Sequence, residues 1–238
     1  EDFPRAAYDQ VGTMEFPAHT DETYVEHFQA SLDVARIRSA GFRMAIDYGY
    51  GIASTIFPNI LGALGAEVVS INGYLDPSRL ARGNDEFRRS TQHLANVVTS
   101  LKYDIGFIID AGGERVGIVD ENGSLYLDND WLAVLTRLVL ESHRLQGLQI
   151  GKLAVPISAT SQVQAMAEAY DVEVVVTKNT HADMMRTATA DDVAFVGGTL
   201  GGAIFPKYFF AVDGMYTVAK TLEMLAVAGQ SLGAVSDG

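Results

Sequence analysis

Short apolar, β-branched runs of four to six residues alternate along the chain with longer stretches whose apolar positions recur at helical spacing. That order predicts an α/β fold with mixed, mostly parallel sheets, because parallel neighbours need a helical crossover between them. The first unit reads as a strand from Phe42 to Asp47, a turn through Gly49 and Gly51, a helix from about Ala53 to Leu64 and a strand from Ala66 to Ile71. A polar loop at Asp76-Pro77-Ser78-Arg79 follows, then a helix from about Glu86 to Leu101 and a strand from Asp104 to Asp110. Val116–Val119 and Ser124–Leu127 flank an Asn122-Gly123 turn, the pairing that closes a β-hairpin because both residues tolerate positive φ.

The first domain is expected to end there. Asp128-Asn129-Asp130 stand before an apolar helical pattern that runs to about Leu145, and their side-chain oxygens are expected to cap it. Strands at Lys152–Ile157, Val172–Thr177 and Val193–Val196 then alternate with helices near Ser161–Tyr170, His181–Thr187 and Asp213–Ala228. The expected organisation is a connector at 1–21, one domain at 22–123 and a second at 124–238. No Pro/Gly/Ser linker separates them, so close packing is expected. The halves share a strand-helix-strand rhythm without a short-period repeat. A chain that opens on a Pro-punctuated stretch and closes on Ser236-Asp237-Gly238 reads as a piece of a longer protein.

Nearly half the residues are apolar, enough for a real core. No apolar run approaches the roughly 18 residues of a membrane span, and Glu1-Asp2-Phe3-Pro4 is not the start of a secretory leader. The chain has no cysteine, which excludes disulfides, thiolate metal sites and cysteine nucleophiles and leaves the cytoplasm as the expected compartment. Acidic residues outnumber basic ones 30 to 17, for a net charge of −13. That field repels nucleic acid and anionic membrane surfaces, so neither is an expected partner. A phosphorylated ligand needs local cationic donors that outweigh it.

Three strand-end loops carry the candidate chemistry. Asp47-Tyr48-Gly49-Tyr50-Gly51-Ile52-Ala53-Ser54 leads a strand into a helix, where free amides favour anions. The third glycine and the downstream acid of a dinucleotide site are both missing, which leaves a tight turn as the stronger reading. The second loop is Asp110-Ala111-Gly112-Gly113-Glu114-Arg115, followed by Val116–Val119 and the Asp120-Glu121-Asn122-Gly123 turn. The third is Gly197-Gly198-Thr199-Leu200-Gly201-Gly202-Ala203, near Lys178-Asn179-Thr180-His181. No serine-hydrolase elbow, Walker loop or His-Glu-x-x-His pair occurs, and the five histidines lack metal-ligand spacing.

The second and third loops resemble those of the α-D-phosphohexomutases, the phosphomannomutase/phosphoglucomutase family. The family's metal loop is Asp-Gly-Asp-x-Asp-Arg, and its sugar loop is Gly-Glu-x-Ser-Gly-His. Lys178-Asn179-Thr180-His181 is similar to a Lys-Thr-Gly-His segment of some bacterial members, and Asp213-Gly214 to an Asp-Gly-Ile signature in which the aspartate caps a helix. The resemblance implies the second and third of four domains, with a Mg²⁺ site of which Asp110 and Glu114 remain. It also implies ligand contacts at Arg115, Lys178, His181, Gly198, Thr199 and Gly201. Gly112 stands where the family has the middle aspartate, and Thr199, Gly201 and Ala203 replace the sugar-reading glutamate, serine and histidine. A carboxylate lost from a three-carboxylate site predicts severely weakened Mg²⁺ binding, because this ion demands near-octahedral oxygen geometry. No catalytic residue is assigned.

The expectation is therefore a degenerate mutase module that serves architecture or binds a sugar phosphate or nucleotide sugar. Its partners are the missing domains of a longer chain, with a homo-oligomer also compatible. By analogy with divergent relatives, the parent is expected to carry a nucleotidyltransferase resembling mannose-1-phosphate guanylyltransferase. The alternative is an active Mg²⁺-dependent phosphomutase once the missing domains are present.

Overall fold

The computed structural model describes residues 5–81 and 83–237; Glu1–Pro4 of the expected connector, together with Arg82 and Gly238, lie outside them. The chain runs α1 (Thr20–Ala30), α2 (Val34–Ala40), β1 (Arg43–Asp47), α3 (Ala53–Ala63), β2 (Glu67–Ile71), α4 (Asn84–Leu101), β3 (Ile105–Ile109), β4 (Val116–Asp120) and β5 (Leu125–Tyr126). It continues through α5 (Asp128–Leu145), β6 (Lys152–Pro156), α6 (Ser161–Ala169), β7 (Val174–Thr177), α7 (His181–Ala188), β8 (Val193–Gly197), β9 (Ala203–Ile204), α8 (Gly214–Ala228) and α9 (Leu232–Asp237).

Two mixed sheets result. The first has strand order β2-β1-β3-β4-β5 and the second β7-β6-β8-β9. In each, three parallel strands are followed by an antiparallel one across a strand-end loop, residues 110–115 in the first sheet and 198–202 in the second. The shared rhythm is thus one topology used twice, and these two loops are equivalent. β5 lies past the expected boundary at Gly123 yet pairs with β4, so it extends the first sheet.

Three helices escape the sequence reading. In α1, only Phe28 is buried; in α2, only Ile37. α9 has six residues. A further correction concerns α5: Leu127 takes the cap position and no side chain caps the helix. Asn129 instead accepts the Thr160 N–H at 2.9 Å, tying the start of α5 to the loop after β6. Asp213 does cap α8, accepting from the Tyr216 N–H at 2.9 Å.

One apolar cluster runs through both halves, from Phe28, Ile46 and Phe107 to Trp131, Phe195 and Leu222. α8 packs on α5 and also on α2, β3 and β4. Buried polar groups fix the same contact: Tyr24 donates to Asp213 at 2.8 Å, and the Asp33 N–H to Glu223 at 2.6 Å. Burial, offset in part by the Tyr216 N–H and the Tyr24 hydroxyl, raises the Asp213 carboxyl above its ordinary pKa. The halves are therefore docked as an interior, and the strand-end loops are held in a fixed relation.

Candidate functional site

Ligands of parallel α/β sheets settle at the carboxyl ends of the strands, where side chains from successive loops converge. In the second sheet those ends present Ser158 after β6, Asn179 and His181 after β7, and Thr199 after β8. A cleft of about 270 Å³ opens there, lined by Arg115, Ser158, Asn179, His181, Gly198 and Thr199 among others. A second cleft, of about 220 Å³, adjoins it and shares Arg115 and Leu200; Asp110, Gly117 and Asp128 lie in its wall.

The polar lining is partly knitted together. Ser158 donates to Asn179 Oδ1 at 2.9 Å and stands 3.4 Å from the Thr199 hydroxyl, which leaves the Asn179 amide hydrogens for a ligand. The Arg115 side chain is exposed and makes no ion pair among the described residues. His181 opens α7, whose cap Thr180 accepts the Asp183 N–H at 3.1 Å. No carboxylate lines the 270 Å³ cleft, so its charged groups, Arg115 and His181, are cationic or neutral within a chain of net charge −13.

Of the residues singled out in the sequence, the structure brings Arg115, His181, Gly198 and Thr199 to one cleft. Lys178 is exposed and does not line it. Its charge acts on Asp183, whose carboxyl is held low first by the Thr180 hydroxyl and also by Lys178 and Arg186. Gly201 is buried at the junction of the halves, where its carbonyl accepts the Val116 N–H at 3.0 Å. A Cβ on Gly201 would lie 2.6 Å from the Val116 oxygen, so glycine is required for this contact. Gly214 is in the same position, its N–H on the Gly113 carbonyl at 2.8 Å. Ser158 belongs to no motif, and its one signal in the sequence is placement just past a parallel strand; Asn179 lies inside the Lys178–His181 segment but is not among the contacts the resemblance implies.

Asp110 turns one carboxylate oxygen onto its own loop. Its Oδ1 accepts the N–H groups of Glu114 at 2.8 Å and Arg115 at 3.0 Å. The loop carbonyls are used as well: Ala111 accepts from Ile52 at 3.2 Å, which also closes off the first turn of α3. Glu114 is exposed, and Gly112 offers no ligand. Among the described residues no three His, Cys, Asp or Glu side chains come together as a metal site. This donor set does not fit the oxygen cage Mg²⁺ requires.

Residues 22–123 match the family description phosphoglucomutase/phosphomannomutase, alpha/beta/alpha domain II, and residues 128–237 match domain III of the same family. The chain belongs to the phosphoglucomutase/phosphomannomutase family. A phosphoglucomutase/phosphomannomutase of Thermococcus kodakarensis is 26% identical over 237 residues, covering 100% of this chain and 51% of the relative. A putative phosphomannomutase from Thermus thermophilus superposes with a TM-score of 0.80 at 20% identity, over 91% of this chain and 49% of that one. Aspergillus fumigatus N-acetylphosphoglucosamine mutase, solved with GlcNAc-6P and magnesium, superposes with a TM-score of 0.66 at 15% identity, over 91% and 53%. At such identities these structures establish the shared fold. This family chain spans about half the length of the curated relatives it matches. Within it, the domain II strand-end loop holds domain III by main-chain bonds and lends Arg115 to the open cleft, whose other polar groups come from the domain III strand ends.

Proposed function

We propose that these two phosphoglucomutase/phosphomannomutase domains recognise a sugar phosphate without performing the mutase reaction. One observation carries this reading: Arg115 and His181 face a cleft free of carboxylates in a strongly acidic chain. An arginine without a carboxylate partner offers a forked set of donors that matches phosphate oxygens. Asn179 and Thr199 then supply neutral donors and acceptors for sugar hydroxyls. The relative from A. fumigatus, which takes GlcNAc-6P, supports the ligand class. At about 270 Å³ the cleft lies below the roughly 300–1,000 Å³ of drug-sized sites, which favours one hexose phosphate over a nucleotide sugar.

Loss of mutase chemistry rests on Gly112, which brings no carboxylate, and on Asp110, one of whose oxygens is already taken by two loop amides, so that little remains of the cage for the ion that would neutralise a transferring phosphoryl group. Titration calorimetry of the chain with GlcNAc-6P and with glucose 6-phosphate, in EDTA and then in Mg²⁺, tests both halves of the proposal. Saturable heat that is indifferent to Mg²⁺ and about tenfold weaker in Arg115→Gln is the expected result. Heat that appears only with Mg²⁺ favours the active phosphomutase, and no heat at all favours an architectural module.

A further inference from the structure

A separate cavity, also of about 220 Å³, lies between α5 and α8 and shares no lining residue with either strand-end cleft. Its walls include Val139 and Phe205, with Met224 and Val227 from α8. Three basic side chains, His143, Lys207 and Lys220, converge on it together with Glu223. We propose that this cavity is a binding site for a small organic anion: an oxyanion head held by Lys207, Lys220 and His143, on a short apolar body.

The hydrogen bonding shows which charges are available. Glu223 is buried and both its oxygens are engaged, one by the Asp33 N–H and the other by the Lys220 ammonium. That carboxylate is a fixed part of the wall, and Lys220 keeps two further N–H donors. Lys207 is exposed and makes no ion pair among the described residues. The His143 ring lies 2.8 Å through Nδ1 from the Val139 carbonyl, which can only accept, so Nδ1 carries the hydrogen and Nε2 is the position left for another proton.

The groups facing His143 in the cavity are Lys207, from the segment after β9, and Tyr216, Lys220 and Glu223, from α8, while Arg144, Tyr170 and Asp171 line the hollow on its other side. Burial first, and then repulsion from Lys220 and Lys207, hold its pKa below the ordinary value against the bond to Val139 and the charge of Glu223. An anion seated between the two ammonium groups cancels that repulsion and accepts from a protonated Nε2. Binding is therefore coupled to proton uptake at His143 and tightens as the pH falls. Walls of Val, Phe and Met reward an apolar body on the same ligand, since apolar area leaves water when it fills the cavity.

The test follows the Cε1–H signals of the five histidines by NMR while the chain is titrated with inorganic phosphate and, separately, with butyrate. Saturable movement of His143 with either probe is expected, with its titration midpoint raised in the bound state and affinity about tenfold weaker in Lys207→Gln, the loss of one charge-assisted contact. Lys207 is exposed and unpaired, so this substitution leaves the fold intact. His181 reports the cleft independently, which separates failure here from failure of the sugar-phosphate reading. A His143 signal unmoved by both probes, or moved equally in Lys207→Gln, overturns the proposal.

Discussion

The loop at 110–115 and the loop at 198–202 occupy the same place in two copies of one topology, each joining a parallel strand to an antiparallel one. The first is closed: Asp110 accepts two of its own amides, and the carbonyls of Ala111 and Gly113 accept amides from Ile52 and Gly214. The second is half open, with the Gly201 carbonyl on Val116 but Gly198 and Thr199 lining a cleft. Equivalent backbone geometry thus serves mainly as a joint in one half, with only the terminal Arg115 turned to the cleft, and as a recognition surface in the other. What separates them is where the polar groups find partners.

The sharpest way to break the joint is at Gly201. An alanine there needs φ near +87° and places a Cβ 2.6 Å from the Val116 oxygen. Gly201→Ala should cost about 3 kcal/mol or more, measured as a fall in the urea midpoint. Asp110→Ala should cost about 1–3 kcal/mol by the same measurement, because two loop amides lose their acceptor. Gly112 offers the contrast, since a Cβ there meets nothing closer than the Glu114 Cγ at 3.9 Å and its φ is not positive. Gly112→Ala should change stability by less than about 0.5 kcal/mol.

A smaller effect reaches the far side of the second domain. The folded His143 has a lowered pKa, so between that value and its unfolded value of about 6.5 the unfolded chain binds more protons. This contribution is complete above about pH 6.5 and is lost as the pH falls through the window. His143→Gln should flatten that part of the stability-against-pH curve.

The strands and the larger helices were legible because their apolar periodicity is strong: β3 and β4 are buried at every position, and α5 buries a broad face. α1 and α2 were not, since each depends on one buried residue docking against elements distant in sequence. β5 was legible from the Asn122-Gly123 turn and not from any period, while the two-residue strand β9 is too short for a period to register and went unread. In the site, motif resemblance located Arg115, His181, Gly198 and Thr199 but also drew in Lys178 and Gly201, whose roles depend on side-chain direction and on contact between halves. Ser158 was hidden because nothing but its place at a strand end distinguishes it, and Asn179 because it departs from the family residue within the Lys178–His181 segment. The switch of Asn129 from helix cap to loop tie has the same origin, a partner 31 residues away.

Magnesium itself provides the most direct test of the claim that the 110–115 loop is a joint. Thermal melting would be followed against MgCl₂, with NaCl of equal ionic strength as the control, for the natural chain, Asp110→Asn and the double variant Gly112→Asp/Glu114→Asp. The natural chain and Asp110→Asn should melt alike in the two salts, and the double variant should gain a saturable rise in MgCl₂ alone. A saturable Mg²⁺-dependent rise in the natural chain that vanishes in Asp110→Asn would contradict the account.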